Sequence, residues 1–485
     1  MSTYQSAVYE PVIGLEIHAQ LQTNSKIFAS DRVLFGQEAN TLISPITLGH
    51  PGTLPHLNKK AVEFAIKMGI ALGCEITRWQ NFDRKNYFYP DLPKGYQITQ
   101  DKTPICMGGS IQVHLAAGPK HLPFHHIHLE EDAGKSLHEG DNPFSFIDYN
   151  RAGTPLIEMV TEPAIHSAEE AFAMISEVRK LVRYLGICDG NMEEGSLRAD
   201  VNISLRPIGS QTLGTKVEIK NMNSLRNIQR AIEYECRRQE AALLAGEELV
   251  QETRTFDAHT GKTASMRVKE TMNDYRYFPE PDLAPLEISD KWIAEIKTNM
   301  PLLPWEQELQ LINTYHLSAY DAHFLAETRE MALYFVETTT HTKAYKSVAN
   351  WLMGPVKSHL NDSGKTIEQF ELAPETLAAI IELVEKGTIT HNLAAQQLFP
   401  LCLQSPALAP STLVEQQGWL VQSNTDELPA FVEAALAAYP EKVNEYRQGK
   451  KGLLALFIGE VMKRSKGTAD PKRVNQLVAE ALNKN

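Results

Sequence analysis

The stretch VIGLEIHAQL, residues 12–21, carries an acid and an imidazole inside an otherwise apolar run. Alternate side chains of a β-strand point to opposite faces. One face would hold the apolar residues Ile13, Leu15, Ile17 and Leu21, and the other would hold Glu16, His18 and Gln20. The pattern predicts a strand with one buried face that presents Glu16 and His18 together. The simplest alternative is a solvent-exposed pair without a function.

A well-marked helix lies in the middle of the same region. Ser167 is a candidate N-cap, Glu170 three residues later completes a capping box, and apolar residues at helical spacing continue to a stop at Gly186. The sequence therefore predicts a helix that packs one apolar stripe against a core.

The period changes to two in the next segment, NMEEGSLRADVNISLRP, residues 191–207. One face of this predicted strand is wholly polar and consists of Arg198, Asp200, Asn202, Ser204 and Arg206. Such a face either meets solvent or lines a site. The segment GTKVEIKN, residues 214–221, follows a short loop that contains glycine, so we expect it to complete a hairpin with Lys220 near its end.

The composition is that of a soluble globular protein, since 43% of the 485 residues are hydrophobic and no apolar run reaches the roughly 20 residues of a membrane helix. The opening residues MSTYQSAVYEPV lack the basic and apolar segments of a signal peptide. We therefore expect a cytoplasmic protein with no membrane association. The five cysteines are far apart and form no C-x-x-C pair, which predicts buried free thiols.

The charge balance limits how the chain could meet nucleic acid. A net charge of −13 argues against a protein that coats nucleic acid by bulk attraction. Residues 441–485, however, contain ten Lys or Arg against five Asp or Glu. This tail is either a solvated helical face or a local basic site, and the count alone does not separate the two.

The pattern along the chain predicts three domains. Short alternating strands with frequent Gly and Pro extend to about residue 290, and helical spacing dominates from 300 to 400. The segment LQSPALAPST around residue 405 is typical of a linker, and short helical segments follow it. We expect a mixed α/β domain at 1–295, a helical domain at 296–404 and a small helical tail domain at 405–485.

Carboxylates recur at the ends of predicted elements in HLEEDAGK (residues 128–135), DYNRAGTPLIEMVTEP (148–163) and MEEGSLRAD (192–200). Oxygen ligands in such numbers suit Mg²⁺, and neighbouring Arg and Lys can hold phosphate or carboxylate oxygens. A single acidic cluster is more often a surface loop than a metal site. The motifs of P-loops, dinucleotide-binding folds and serine hydrolases are absent, so any phosphate chemistry must use another cradle.

The segment FDRKNYFYPDLPKGYQITQ, residues 82–100, interleaves basic groups such as Lys85 with tyrosines. This mixture can bind nucleotides by ion pairing and stacking. Core packing followed by a turn explains the aromatic residues equally well.

Taken together, these motifs resemble one family. VIGLEIHAQL, FDRKNYFYPDLPKGYQI, HLEEDAGKS, NRAGTPLIEMVTEP, MEEGSLRADVNISLRP, KNMNS, DYRYFPEPDL, NWLMG and VMKRSKGTADP occur in order from residue 12 to about 475. They are similar to the B-subunit family of the aspartyl/glutamyl-tRNA amidotransferases. The resemblance is specific and covers nearly the whole chain.

The resemblance implies an α+β fold: a cradle-like mixed α/β catalytic domain, an all-helical domain and a small helical tail that contacts tRNA. It implies two protein partners, namely an amidase (glutaminase) that releases ammonia from glutamine and a small third component of the complex. It also implies that ATP activates the side-chain carboxylate of Glu-tRNA(Gln), of Asp-tRNA(Asn), or of both. Phosphorylation converts the carboxylate oxygen into a leaving group that ammonia can displace.

The family motifs also imply site residues. Those expected in metal binding or activation are Glu16, His18, Glu131 and Glu158. Glu194, Arg198 and Asp200 are further catalytic candidates, and Lys85 and Lys220 are candidates for phosphate binding or for the ammonia channel. Strand alternation through HIHLE would place Glu131 with Ile127 and Leu129, unless the strand has ended by then. A histidine is also an unusual Mg²⁺ ligand, so His18 could orient water or phosphate instead.

One departure concerns zinc. Many family members carry a four-cysteine zinc site after the first strand, whereas residues 26–55 of this chain contain no cysteine. The expected cofactors are therefore Mg²⁺ with ATP as co-substrate, and no zinc. Two other functions are kept as alternatives: a non-catalytic tRNA-binding scaffold, and a metal-dependent phosphodiesterase.

Overall fold

The computed structural model describes residues 3–138, 144–268, 275–420, 428–465, 469 and 471–483. Part of the basic tail segment VMKRSKGTADP and the Asp274 position of DYRYFPEPDL lie outside the described residues. The chain separates into two compact units, Met1–Leu303 and Pro304–Asn485. The first is a mixed α/β unit and the second is helical in its described parts, so the predicted fold class is confirmed.

The strands of the first unit are short apart from β1, β8 and β12. Their bounds are β1 Tyr9–Gln20, β2 Glu75–Ile76, β3 Trp79–Gln80, β4 Asp83–Asn86, β5 Tyr96–Thr99, β6 Cys106–Met107, β7 Ser110–Leu115, β8 Gly118–Glu131, β9 Lys135–His138, β10 Ser145–Asp148, β11 Pro155–Thr161, β12 Leu197–Pro207, β13 Val217–Lys220, β14 Glu252–Asp257, β15 Lys262–Val268, β16 Phe278–Pro279 and β17 Leu286–Glu287.

A ten-stranded sheet organises the unit, with β1 at its middle. The order is β15-β14-β13-β12-β1-β11-β8-β6-β2, and β7 pairs with β8 beside this path. β1 pairs antiparallel with β11 on one side and with β12 on the other, and β12 pairs with β13 as the sequence predicted. The apolar face of β1 is fully buried, since Ile13, Ile17 and Ala19 are each 0% exposed. The predicted strand at residues 12–21 is thus the centre of the sheet.

The helices of this unit are α1 Lys59–Leu72, α2 Ala168–Tyr184, α3 Leu225–Leu244 and α4 Asp290–Thr298. The Ser167 side chain accepts a hydrogen bond from the Glu170 amide, as the predicted N-cap requires. The Glu170 carboxylate accepts from the amide of His166, one residue before the cap. Apolar residues of α1, α2 and α3 join the core that the sheet buries, and this leaves the polar face of the central strands free to line a site.

The second unit is built from helices α5 to α17. They are α5 Pro304–Tyr315, α6 Ala319–Leu325, α7 Arg329–His341, α8 Tyr345–Trp351, α9 Lys357–Ser363, α10 Pro374–Glu385, α11 His391–Leu393, α12 Phe399–Gln404, α13 Pro410–Gln417, α14 Leu428–Ala438, α15 Pro440–Arg447, α16 Leu454–Arg464 and α17 Pro471–Asn483. Two π-helical segments, Leu352–Val356 and Ala394–Leu398, and two 3₁₀ turns, Ile367–Gln369 and Lys451–Leu453, connect some of them.

Two separate cores occur within these helices. Residues from Leu311 to Val414 form one, and residues from Leu428 to Leu482 form the other. Helix α13 therefore packs with the first of these cores, although it lies beyond the predicted boundary at residue 404. The division into 1–295, 296–404 and 405–485 remains a prediction. Within the described residues, no helix is both long and apolar enough to cross a membrane.

Candidate active site

Polar side chains cross the middle of the sheet in a row. His18 on β1 lies opposite Glu158 on β11 and opposite Arg198 on β12, and Glu158 lies opposite His128 on β8. Directly opposed residues of antiparallel strands project their side chains to the same face at about 5 Å spacing. The strand pairing therefore converts four distant stretches of sequence into one continuous polar row.

Glu130, two residues after His128 on β8, reaches this row and meets Glu158 and the two histidines. The Nε2 atom of His18 lies 3.2 Å from Oε2 of Glu158 and 3.9 Å from Oε1 of Glu130. The Nε2 atom of His128 lies 3.5 Å from Glu158 Oε2 and 3.6 Å from Glu130 Oε2. Ligand atoms of His18, Glu130 and Glu158 all fall within 4.8 Å of one another, which is close enough to surround one metal ion.

The electrostatics of this group are those of a buried ion pair. Burial lowers the pKa of His18, but the carboxylates of Glu158 and Glu130 outweigh it and raise that pKa to about 9. Burial raises the pKa of Glu158, but His18 and His128 hold it well below its ordinary value. At this pKa His18 is protonated at neutral pH, and a metal ion bound there would displace its proton.

A second group of acids lies beside the first. Ligand atoms of Glu16, Asp200 and Glu218 also lie within 4.8 Å of one another. Asn202 donates a 2.8 Å hydrogen bond to Glu16. Burial and the nearby Glu158 raise the pKa of Glu16, which reflects the density of negative charge here. Both groups consist largely of the oxygen donors that suit Mg²⁺.

Three cations complete the site. Lys220 Nζ lies 2.6 Å from Asp200 and 3.1 Å from Glu218. Arg198 donates from Nη2 to Asp132 at 3.0 Å. Lys85 Nζ lies 4.9 Å from the ring centre of Tyr275 and 5.9 Å from that of Tyr87. Burial lowers the pKa of Lys85, but the carboxylates of Glu130 and Glu158 contribute to a net increase.

Most of these groups line one open hollow of about 780 Å³. Of the nine predicted site residues, the hollow contains Glu16, His18, Lys85, Glu158, Glu194, Arg198, Asp200 and Lys220. Glu194 lies at an exposed position on the turn before β12. Its volume lies within the range of roughly 300–1,000 Å³ that is usual for ligand-binding clefts.

Glu131 is the exception. It is the last residue of β8 and follows Glu130, so strand alternation points its side chain away from the hollow. There its carboxylate accepts hydrogen bonds from Lys94 Nζ at 2.5 Å and from the Ile98 amide at 2.9 Å. The preceding residue, Glu130, reaches His18 instead. The expectation that Glu131 belongs to the metal group is therefore replaced by Glu130, because the strand continues through both residues and its alternation holds.

Several residues of the site were missed at the sequence level. They are Glu130, His128, Glu218 and Asp132. The alternation in HIHLE contained the signal for Glu130 and His128, since both share a parity opposite to that of Ile127 and Leu129. In the basic and aromatic segment, Lys85 lines the hollow, whereas Arg84 forms an ion pair with Glu280 and Lys94 pairs with Glu131.

Comparison with known proteins covers almost the whole chain. Residues 11–294 match the model of the GatB/GatE catalytic domain, and residues 333–482 match that of the GatB domain. The chain is 48% identical to the B subunit of the aspartyl/glutamyl-tRNA(Asn/Gln) amidotransferase of Thermosynechococcus vestitus, over 99% of this chain and 97% of that protein.

The corresponding proteins of Bacillus velezensis and Geobacter sulfurreducens are each 46% identical to it, over 98% of this chain and 99% of theirs. Likeness at this level and over this length identifies a common family. The chain belongs to the B-subunit family of the aspartyl/glutamyl-tRNA(Asn/Gln) amidotransferases.

Proposed function

We propose that this chain is the B component of a tRNA-dependent amidotransferase that uses ATP to activate the side-chain carboxylate of Glu-tRNA(Gln), of Asp-tRNA(Asn), or of both. The observation that carries this proposal is the hollow, in which two groups of carboxylate and imidazole ligands lie beside Arg198, Lys220 and Lys85. Family membership supports the same reaction, because the relatives are named for it.

The reaction explains why acids and cations are placed together. A carboxylate oxygen of the aminoacyl group attacks the terminal phosphorus of ATP, and ADP leaves. Ammonia then attacks the carbonyl carbon of the acyl phosphate, inorganic phosphate departs, and one proton of the ammonia is released. Both steps move negative charge between oxygens, so the protein mainly needs to align the reactants and offset that charge.

Mg²⁺ fits the donor set, with His18, Glu130 and Glu158 as ligands of one ion and Glu16, Asp200 and Glu218 available to another. A bound Mg²⁺ would draw charge from phosphate oxygens and bring them close to the carboxylate. The protein's own part is to supply Arg198, Lys220 and Lys85 as fixed positive charges around the transferred phosphoryl group. The ion pairs of Lys220 with Asp200 and Glu218 hold its ammonium group at the wall of the hollow.

The proposal includes partners and a place of action. An amidase (glutaminase) would supply ammonia from glutamine, a small third protein would join the complex, and the tail from about residue 441 would contact tRNA through its excess of Lys and Arg. Because aminoacyl-tRNA is made where translation occurs, the proposed location is the cytoplasm.

The test is ATP-dependent amide formation on Glu-tRNA(Gln) and Asp-tRNA(Asn), with the chain alone and with the proteins that copurify with it. We expect glutamine to support amidation in the copurified complex, and free ammonia to support it with the chain alone. Glu158→Gln should abolish amidation while tRNA binding persists. Unchanged amidation in this variant would favour a tRNA-binding scaffold, and phosphodiester hydrolysis without an aminoacyl acceptor would favour the phosphodiesterase alternative.

A further inference from the structure

A buried carboxylate supports one wall of the hollow without belonging to either metal group. Asp132 follows the end of β8 and is 6% exposed. Its Oδ2 atom accepts hydrogen bonds from Gln20 Nε2 at 2.7 Å and from Arg198 Nη2 at 3.0 Å. The Nε atom of Arg151 lies 3.7 Å from the same oxygen. One oxygen of this buried carboxylate therefore holds two side-chain donors in place.

The contact with Asp132 fixes Arg198 at one end of its guanidinium group. Among the described residues, Nη2 is the one guanidinium nitrogen of Arg198 with a hydrogen-bond acceptor, and that acceptor is Asp132. The side chain is 34% exposed and lines the hollow directly across from His18. A guanidinium group is a rigid planar fork, so fixing one nitrogen also sets the direction of the others. The remaining N–H groups are therefore available to a ligand in the hollow.

The alternative partners of Arg198 make this anchoring necessary. Glu130 and Asp200 line the same hollow as Arg198. Both acids belong to the metal groups described above. An arginine free to swing toward them would neutralise the carboxylates that a metal ion needs. By holding Arg198 through Nη2, Asp132 keeps the cation and the metal ligands apart.

We propose that Asp132 is a positioning residue that holds the Arg198 guanidinium for an oxyanion bound in the hollow. The ligand class is an anion with two oxygens in one plane, which a guanidinium recognises through two parallel hydrogen bonds. A phosphate of the nucleotide and the side-chain carboxylate of the aminoacyl group both have this chemistry. The inference rests on the proposed function for naming the nucleotide and the aminoacyl group as sources of this anion. Asp132 itself would not contact the substrate.

The experiment is a double-mutant cycle with Asp132→Asn and Arg198→Ala, made in the full chain with its copurifying proteins. Dissociation constants of Mg-ATP and of the aminoacyl-tRNA are measured for the four proteins of the cycle. We expect Asp132→Asn to weaken binding of one ligand by about tenfold when Arg198 is present, and by less than about twofold in the Arg198→Ala background. Weaker Mg-ATP binding identifies the phosphate, and weaker aminoacyl-tRNA binding identifies the carboxylate.

The control is Glu235→Gln, which removes another buried acid of the same unit. Glu235 pairs with Arg238 at 2.6 Å and does not line the hollow. It should lower thermal stability without changing either dissociation constant. If Asp132→Asn does not fold, as judged by circular dichroism, Asp132→Ser removes the charge with a smaller side chain and completes the same cycle.

Two results would overturn the inference. One is an equal effect of Asp132→Asn in both backgrounds, which marks a general structural role, and the other is no effect on either ligand. Amidation by the wild-type complex is measured in parallel and tests the proposed function separately. Because the cycle reads binding rather than turnover, its result stands whether or not amidation is observed.

Discussion

The hollow and a smaller cavity beside it both contain acids and lysines. In the hollow these groups face open space, whereas Lys26 and Glu131 in the smaller cavity are buried. The smaller cavity has a volume of about 160 Å³ and is lined by Lys26, Lys94 and Glu131. Glu131 is satisfied there by Lys94 and by a backbone amide, whereas Glu130, one residue earlier, faces His18 across the open hollow. A shift of one residue along a strand thus separates an acid that stabilises the fold from an acid available to a ligand.

The second difference is in the lysines. Lys85 and Lys220 reach the hollow, where solvent or a ligand can meet them. Lys26 is 1% exposed, and its Nζ atom has no hydrogen-bond partner among the described residues. Burial lowers the pKa of Lys26 to about 8, despite the nearby Asp31, Glu131 and Asp148. The lysines of the hollow are therefore available to ligands, while the charge of Lys26 in the small cavity has a cost in stability.

The largest expected effect is a difference in metal affinity between a variant in the hollow and a variant in the small cavity. Glu158→Gln removes a ligand of the first metal group, so Mn²⁺, used as a probe for Mg²⁺, should bind at least about 100-fold more weakly. Glu131→Gln is the matched control on the other side of β8 and should leave the affinity unchanged. Isothermal titration of both variants measures the difference, and equal losses would show that Glu131 also acts on the metal.

The second prediction concerns the stability of the same two variants. Glu131→Gln leaves Lys94, whose side chain is 11% exposed, without its ionic partner, and should lower the free energy of unfolding by about 3 kcal/mol. Glu158→Gln should also lower it, because the variant leaves the protonated His18 without its nearest carboxylate oxygen. Chemical denaturation in the absence of metal gives both values. An unchanged free energy of unfolding in Glu131→Gln would contradict a stabilising role for its pair with Lys94.

The third prediction concerns the cost of the buried lysine. The folded pKa of Lys26, about 8, lies below the ordinary lysine value of 10.5, so the unfolded chain binds more protons between these values and stability should rise with pH there. Lys26→Met should raise the free energy of unfolding at pH 7 by about 1–3 kcal/mol and flatten this rise. Lys291→Met, at a side chain that is 87% exposed, is the control and should change stability by less than about 0.5 kcal/mol. A loss of stability in Lys26→Met would show that Nζ has a favourable partner.

The smallest effect is the pH dependence of metal binding in the hollow. Since His18 has a pKa of about 9, a metal ion must displace its proton, and affinity for Mn²⁺ should rise by about tenfold per pH unit between about pH 7 and 8.5. In the metal-free protein this proton also stabilises the fold. That contribution is complete below the unfolded pKa of about 6.5 and is lost as the pH rises through the folded pKa of about 9. Titrations at several pH values provide the measurement, with His18→Asn as the control. A flat profile in the wild type would exclude His18 as a ligand.

The local part of the fold could be predicted because it depends on neighbouring residues. The alternation around Glu16 and His18 identified the central strand, and the cap at Ser167 identified the start of α2. The same alternation grouped Arg198 with Asp200 on one face of β12. Periodicity of this kind is set by the geometry of a single element, so it can be read without knowledge of its partners.

The position of Glu131 depends on more than local sequence. A family motif with two adjacent glutamates does not show which one faces the site unless the end of the strand is known. β8 continues through Glu131, and the pairing of Glu131 with Pro155 keeps the alternation to its last residue. Lys94, which satisfies Glu131, comes from a separate segment whose approach the sequence did not indicate.

By itself, the sequence determined the family, the central strand, the polar faces and the change from mixed α/β to helical structure, because motifs and periodicity are local properties of the chain. Only the tertiary structure decided that His18 meets Glu130 and Glu158, and that Asp132 holds Arg198. Those contacts join strands distant in sequence, and their register is fixed by how the whole sheet buries its apolar face.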